Sequence, residues 1–451
     1  MEQKQIDGVL DRVRAALELN RIAEAIAALE TLHIADRADA FADLPHDDQT
    51  EILTNLDSGP AADLLDELED EEAAAVAAHL PSAQLADVLD EMDPDEAADL
   101  LGDLSPEQAA DALAQMEDRD EVLPLLGHPD DTAGGRMTSE FIALRRQTTT
   151  QMAIEFLRSL QRDAETPYYL YVVDRDGVLI GIVGLRDIIV AAPTTTMADI
   201  MRPDVISVPV GTDQEEVARV MQHYDLLAVP VVDAAGRLVG VINYDDIVDV
   251  IEEEATEDIY RLANVSDSDL QVWSPARLSV RRRLPWLVVN LGTAFLAAGV
   301  ISLFEGTIER VAILAAFQSI VAGMGGNSGT QTLAIMVRGL ALGEIEFRDA
   351  RRAVLREAGI GVMHGAVVGL LVAGGAWLWR GNPALGLVIG LAMLGNLVAA
   401  GMAGTLVPLT LKSLKLDPAL ASAVMVTMVT DVVGFSLFLG LATLFMPLLV
   451  G

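Results

Sequence analysis

The sequence predicts a multidomain membrane protein: an acidic, all-α superhelical front, a duplicated α/β unit, a connecting helix and a five-helix transmembrane domain. Three observations predict this. Charge is segregated: residues 1–270 hold 60 acidic and 17 basic side chains, and residues 271–451 hold 8 and 13. A pattern of two β-rich runs followed by a helix start occurs twice in the middle of the chain. Five apolar stretches, each long enough to cross a bilayer, occupy the last third. A chain of 451 residues exceeds one ordinary domain, and we divide it at 1–130, 131–253, 254–280 and 281–451.

Composition excludes several classes. A net charge of −38 repels nucleic acid and attracts cations. The chain has no cysteine, hence no disulfide and no thiolate metal site. Six scattered histidines form no HExxH pair, so oxygen ligands point to a hard cation such as Mg²⁺. The opening MEQKQIDGVL is polar and unlike a signal peptide, so the front is expected to stay in the cytosol.

Residues 1–130 are rich in Ala, Leu, Asp and Glu at helical spacing. Gly59-Pro60, Asp93-Pro94 and Ser105-Pro106 each precede a helical run, with Pro expected at the first helical position. Leu and Ala recurring at three and four residues give each helix one buried stripe, and short helices of this kind stack into a superhelix. Their acids read as a solvated face. Asp90, Asp93 and Asp95, crowded near one helix start, offer at most a weak cation site.

Residues 131–253 carry the duplication. Tyr168 to Ala191 reads YYLYVVDRDGVLIGIVGLRDIIVA, and Leu226 to Val250 reads LLAVPVVDAAGRLVGVINYDDIVDV. Met137-Thr138 and Met201-Arg202-Pro203 open the two copies. The unit resembles a tandem pair of CBS domains. That resemblance implies an adenine nucleotide between the repeats, with Tyr169, Arg186 and Asp187 as its contacts. Gly184 and Asn243 stand where the family carries Ser or Thr three residues before the ribose-binding Asp, so ATP is expected to bind weakly.

The stretch Asp245 to Val265 is spaced as an amphipathic helix, with Ile247, Val250, Ile251, Ile259 and Leu262 on one face. Glu252, Glu253, Glu254, Glu257 and Asp258 lie opposite. Like charges three and four residues apart weaken a helix, and bound divalent cations would relieve them; a solvated acidic linker is the alternative.

The apolar spans lie at 284–304, 311–338, 357–379, 385–411 and 418–449. Nine basic residues (Arg281, Arg282, Arg283, Arg348, Arg351, Arg352, Arg356, Lys412, Lys415) flank one side, and only Arg310 and Arg380 the other. The positive-inside rule then puts the N-terminal domains in the cytosol and the C-terminus outside. The second span holds GMGGNSGTQTL, Gly323 to Leu333. Asn327 and Gln331 share one helical face there if the helix persists, and the glycines serve close packing or an open backbone. For GNLVAAGMAG, Gly395 to Gly404, we expect packing. The last span contains Asp431. A carboxylate at that depth costs about 3 kcal/mol and by default marks an ion or proton path. The alternative is a structural Asp held by backbone donors or Arg; no basic residue in the span pairs with it.

The order of these parts, with GGNxGxQ and a DPA segment before an intramembrane Asp, resembles the MgtE family of magnesium channels over essentially the whole chain. The resemblance implies a homodimer in the plasma (inner) membrane, with a central pore and a cytosolic Mg²⁺ sensor that closes it. Mg²⁺ would be both the transported and the regulatory ion. The family's pore Asp falls on Asp431 and the Asn of its GGN on Asn327. Its sensor positions fall on Gly135, through the carbonyl, and on Asp213, Glu215, Asp225, Asp246, Asp249, Glu254, Glu257 and Asp258. Near Asp431 the chain has Ala423 and Val424 where relatives carry Asn or Gly followed by Pro, and Thr427 one turn before the Asp. GxxxxGK[ST] is absent, so no nucleotide hydrolysis and no enzyme is expected. Two rival classes are a proton- or sodium-coupled exporter of divalent cations and a non-transporting membrane Mg²⁺ sensor.

Overall fold

A computed structural model of the chain describes residues 3–159, 169–265, 270, 272, 274–345, 347–419 and 421–450. Tyr168 of the first repeat and residues 266–269, 271 and 273 of the linker lie outside the described residues. The chain forms two compact units, divided between Ile251 and Glu252.

The first unit begins with ten helices among the described residues: α1 (Gln3–Glu18), α2 (Ile22–Leu29), α3 (Ile34–Ala42), α4 (His46–Thr54), α5 (Ser58–Asp66), α6 (Asp70–Ala77), α7 (Ser82–Leu89), α8 (Pro94–Asp103), α9 (Pro106–Leu113) and α10 (Arg119–Val122). Each packs on the next but one, from α1 on α3 through to α8 on α10, which is a superhelix of short helices. Leu64, Leu65, Val88 and Leu89 from the apolar stripes are fully buried between them. Pro94 and Pro106 open α8 and α9 behind Asp93 and Ser105, and Ser105 Oγ accepts from the Gln108 N–H at 3.4 Å. Pro60 departs from expectation: α5 starts at Ser58 with Asp57 before it, so Pro60 is the third helical residue. No bond is lost there, because the first four N–H groups of a helix have no intrahelical acceptor.

The duplicated unit comprises β1 (Ala143–Arg145), α11 (Thr150–Ser159), β2 (Tyr169–Val173), β3 (Leu179–Gly184) and α12 (Leu185–Val190), then α13 (Met197–Ile200), β4 (Val208–Pro209), α14 (Gln214–Tyr224), β5 (Ala228–Val232), β6 (Leu238–Asn243) and α15 (Tyr244–Leu262). The two sheets, β1-β2-β3 and β4-β5-β6, share one pattern: parallel, then antiparallel. The turns match as well. Asp174 Oδ1 accepts from the N–H groups of Asp176 and Val178, and Asp233 Oδ1 from those of Ala235 and Arg237. The copies are stitched turn to turn, Leu179 N–H to Gly236 O at 3.0 Å and Leu238 N–H to Gly177 O at 3.1 Å. Each opening segment pairs with the other copy: Thr138 bridges Val241 on β6, and Arg202 bridges Ile182 on β3. The apparent copies in sequence therefore exchange their first segments in space.

On α15 only part of the expected apolar stripe is inside. Ile247 and Val250 are buried, whereas Ile251 and Ile259 are 44% and 65% exposed.

The second unit contains α16 (Ala276–Ser302), α17 (Glu305–Arg310), α18 (Leu314–Ala341), α19 (Ala350–Arg380), α20 (Pro383–Ser413), α21 (Ser422–Leu444) and α22 (Met446–Val450). Among the described residues four helices, α16, α19, α20 and α21, are long and apolar enough to cross a membrane. The fifth expected span, α18, is a continuous helix of 28 residues. Its glycines and polar side chains keep it out of that group, and it packs on α20 and α21 instead. The last span is also shorter than expected: α21 starts at Ser422, after Ala421 in a left-handed conformation with φ +59°.

Small residues set the helix spacing, as is usual where lipid tails are as apolar as leucine. Gly361, Gly365 and Gly369 of α19 lie against the backbone of α20; a Cβ at these positions would come within 2.7 Å of Leu397 O, 2.8 Å of Leu394 Cα and 2.8 Å of Gly390 O. The GNLVAAGMAG stretch packs, as expected. Asn396 is fully buried between Gly325 and Gly434, and its amide donates to Val321 O at 2.9 Å.

Candidate functional site

Asp431 is the tenth residue of α21, well inside a helix with no other charged side chain. It is partly buried, and among the described residues it has no hydrogen-bond or ion-pair partner. The structural alternative of a capped or Arg-paired Asp thus has no support in the contacts.

The face of α18 divides sharply. Gly325, Gly329, Thr332 and Leu333 are buried, with Gly329 against Val426 of α21, while Gly323, Asn327, Thr330 and Gln331 are exposed. The helix persists through this stretch, so Asn327 and Gln331 do share one face, and it is a polar one without a neighbour among the described residues. Of the two roles expected of the glycines, Gly325 and Gly329 show close packing, and the backbone stays helical throughout the stretch. Near Asp431, Thr427 is exposed and its hydroxyl donates to Ala423 O at 2.8 Å. Val424 is buried.

The first unit gathers carboxylates. Asp246, in the first turn of α15, accepts from the Asn243 N–H at 3.2 Å and is raised to about 6: burial and Asp245 push it up, the Asn243 N–H pulls it down, and Asp93 and Asp249 push further. Asp93 is raised by burial, then by Asp245 and Asp63. Glu96 is pushed up to about 8 by burial and by Asp66, Asp99, Asp70 and Asp246. Asp66 reaches about 7 through burial, Asp93, Asp63 and Glu67. Asp99 reaches about 7 by burial, with Arg136 opposing and Asp70, Asp130 and Asp103 adding. Acids of the helical front and of α15 therefore feel one another. Among the described residues no three are gathered closely enough to cage a metal ion. The donor set is nevertheless hard oxygen, suited to Mg²⁺ held by one or two carboxylates with its waters retained.

Gly135 and Asp213 come together. Thr132 bridges Asp213, Ala133 N–H donates to Thr212 O at 2.7 Å, and Gly134 N–H donates to Val210 O at 2.9 Å. A Cβ at Gly135 would lie 2.5 Å from Pro129 O, so this turn requires glycine. Asp213 caps α14, accepting from the Glu215 N–H at 3.0 Å. Asp225 ends α14 in a left-handed conformation with φ +52° and is exposed, as is Asp249. Of the early trio, Asp90 is occupied by the Glu117 and Asp118 N–H groups and Asp95 is buried.

Glu254, Glu257 and Asp258 belong to the second unit and are partly buried. Asp258 is pushed up to about 6 by burial, Asp417 and Glu254. In the sequence Asp417 is conspicuous only as the start of DPA; the fold brings it to α15. Asp66, Glu96 and Asp99 are equally hidden there, because nothing in their spacing separates a buried acid from a solvated one. Glu357, buried on α19 beside the Thr332 hydroxyl at 3.4 Å, also escapes sequence reasoning.

In the nucleotide region, Tyr169 and Gly184 face each other across β2 and β3. Asp187 in the next turn lies 4.0 Å from Arg202, and Arg186 is exposed.

The family model of MgtE, described as a divalent cation transporter, matches residues 318–441. That of the MgtE intracellular N domain matches residues 32–131, and the CBS domain matches 133–193 and 197–253. The magnesium transporter MgtE of Thermus thermophilus is 42% identical over 329 residues, 72% of each chain. The chain belongs to the MgtE family. The magnesium transporter MgtE of Enterococcus faecalis is 40% identical over 330 residues, 73% of this chain and 72% of that one. Among solved structures, the cytosolic domain of the Mg²⁺ channel MgtE in complex with ATP is 39% identical, with a TM-score of 0.50, covering 53% of this chain and 99% of that one. MgtE membership accounts for the order of the parts: acidic helical front, CBS pair, connecting helix and membrane helices.

Proposed function

We propose that this chain is a magnesium channel that passes Mg²⁺ down its electrochemical gradient into the cytosol and closes when Mg²⁺ binds its acidic cytosolic domains. The observation that carries the proposal is Asp431, an unpaired carboxylate in the middle of an apolar helix of an MgtE-family chain. Two such carboxylates across a homodimer axis would draw in a hydrated divalent cation, and incomplete dehydration keeps binding weak enough for release. The exposed Asn327 and Gln331 face supplies neutral oxygens for the ion's waters. The functional division is 1–130 front, 131–253 CBS pair, 254–280 connecting segment and 281–451 pore.

The sensor comprises Gly135, Asp213, Glu215, Asp225, Asp246, Asp249, Glu254, Glu257 and Asp258. Like charges about 4 Å apart cost roughly 4 kcal/mol at an effective dielectric of 20. Mg²⁺ bridging them favours a compact arrangement and shifts the two-state equilibrium by its differential affinity. The raised Asp246 and Asp258 support this: burial is the larger cause in both, and neighbouring acids push them further. The N-terminal domains face the cytosol of an inner-membrane protein, and the C-terminus lies outside. The protein is no enzyme. A relative's cytosolic domain takes ATP; here Tyr169, Arg186 and Asp187 would contact adenine nucleotide weakly, lacking the hydroxyl residue at Gly184.

Dye-reported or ²⁵Mg flux in proteoliposomes tests the proposal. Flux should follow the Mg²⁺ gradient and fall when the cytosolic face meets Mg²⁺. A requirement for a proton or sodium gradient would favour a coupled exporter, and absence of flux a sensor.

A further inference from the structure

The last turn of α15 carries one basic side chain in a run of acids, Arg261. Its guanidinium makes two ion pairs, one with Glu257 a turn earlier on the same helix and one with Asp417 in the loop before α21. All three side chains are only partly exposed, at 35%, 29% and 23%. Asp417 is doubly used: Oδ2 meets Arg261, while Oδ1 accepts from the Ala419 N–H at 2.7 Å and so shapes the turn that launches α21. The next residue after Arg261, Leu262, packs against the cluster of Leu333 and Val337 from α18 and Val426 from α21. The end of the connecting helix is thus seated on the two helices that bear Asn327 and Asp431.

Seating it there has an electrostatic cost. Burial, Asp417 and Glu254 all push Asp258 up, and Glu257 shares the Arg261 guanidinium with Asp417, so acids of α15 and the loop acid crowd together. Arg261 is a cation of the chain itself, paired with two of these acids. The pair with Glu257 lies within α15 and survives any movement of the helix. The pair with Asp417 exists only while α15 is seated, so its whole free energy counts toward that arrangement.

We infer that Arg261 is the positioning residue of the gate, a built-in countercharge that holds the connecting helix on the α20–α21 loop and so sets how much Mg²⁺ is needed to close the pore. Its effect on flux rests on the gating proposed above; the contact and its effect on helix seating do not. Arg261 and the regulatory ion divide the work. The guanidinium offsets part of the charge of Asp417 and Glu257, so the ion has less carboxylate repulsion to overcome when α15 seats.

The test uses the full-length protein in proteoliposomes, with Mg²⁺ entry read against Mg²⁺ on the cytosolic face. Arg261→Gln should raise the half-closing concentration about three- to five-fold, the scale of a partly exposed ion pair, and Arg261→Lys should restore most of it. Asp417→Asn keeps the Oδ1 acceptor of the turn and removes the charge. In that background Arg261→Gln should produce no further shift, because the partner is gone. A second readout does not depend on transport. The chain has no native cysteine, so spin labels at Ile259→Cys and Leu414→Cys, both exposed positions, report the seating directly when diluted with unlabelled protein. Arg261→Gln should shrink the short-distance population without Mg²⁺. An unchanged or lowered half-closing concentration would overturn the assignment. So would equal shifts with and without the Asp417→Asn change, or identical distance distributions. If the wild type ignores Mg²⁺, gating itself fails, and the distances alone then decide for or against the seating role of Arg261.

Discussion

Asp431 and Asp246 are both aspartates on long helices, and their surroundings are opposite. Asp431 stands in an apolar helix without a charged neighbour on that helix or a partner among the described residues. Asp246 stands in a crowd, pressed by Asp245, Asp93 and Asp249 and sharing its field with Glu96. The difference teaches how one functional group serves two purposes. A lone carboxylate in a medium that cannot solvate it attracts whatever cation reaches it, and with no fixed countercharge it can release that cation again. Crowded, partly buried carboxylates store repulsion, and their arrangement responds to the cation concentration around them.

The comparison breaks most visibly if the lone acid is removed. Asp431→Ala should lower Mg²⁺ flux by at least about 100-fold, the order expected when the charge that offsets dehydration is lost. Thermal unfolding in detergent should be unchanged, since no bond to Asp431 is broken.

Removing charge from the crowd should act on closure and leave conduction intact. With Asp225, Asp246 and Asp249 neutralised together, the channel should stay open at about 10 mM Mg²⁺, in the range of weak carboxylate sites. Limited proteolysis of residues 1–265 should then no longer slow between EDTA and Mg²⁺, as it should in the wild type. A digestion pattern indifferent to Mg²⁺ in the wild type would reduce the acidic front to a solvated scaffold.

A smaller effect separates protons from Mg²⁺. Glu96, Asp66 and Asp99 sit at about 8, 7 and 7 against ordinary values of 4.5, 3.8 and 3.8. With folded values raised, the folded state holds more protons than the unfolded one between about pH 4 and pH 8, so stability falls as pH rises through that window. Without Mg²⁺, the front should resist protease better at about pH 5.5 than at about pH 8.5, and Mg²⁺ should flatten the difference by replacing the protons.

The smallest expected effect concerns nucleotide. Asp187 retains its place at the start of α12, but the residue three before it is Gly184, with no hydroxyl to offer. Calorimetry with ATP should give a dissociation constant weaker than the low micromolar range, and tight binding would show that Tyr169 and the backbone suffice.

The periodic parts of this fold are legible in the sequence because local rules decide them. Asp93 and Ser105 before proline announce helix starts, and the two Asp-Gly turns with their flanking β-runs announce the repeat. What escapes depends on distant partners. The exchange of Met137-Thr138 and Met201-Arg202 between repeats leaves no mark on local pattern, because either copy satisfies the same strand edge. Ile251 and Ile259 match the helical period yet remain exposed, since period names a face and says nothing of what covers it. As sequence, α18 leaves open whether its glycines serve close packing or an open backbone; Gly325 and Gly329 let it press against Asn396 and Val426, with its polar face outward. For the site, Asp431 is visible because an acid in an apolar run is conspicuous. Glu96 is not, being an acid among acids, and Asp417 stands out only as the start of DPA; their significance arises only when α8 and the α20–α21 loop bring them to their neighbours.

The most direct measurement separates the charge of Asp431 from its shape. Asp431→Asn preserves size and hydrogen-bonding oxygen while removing the negative charge. Reconstituted beside the wild type at equal protein and with the cytosolic face free of Mg²⁺, it should lose most of the Mg²⁺ flux, as the Ala variant does. Wild-type flux through the Asn variant would contradict the account, for the carboxylate charge would then have no part in drawing Mg²⁺ through the membrane.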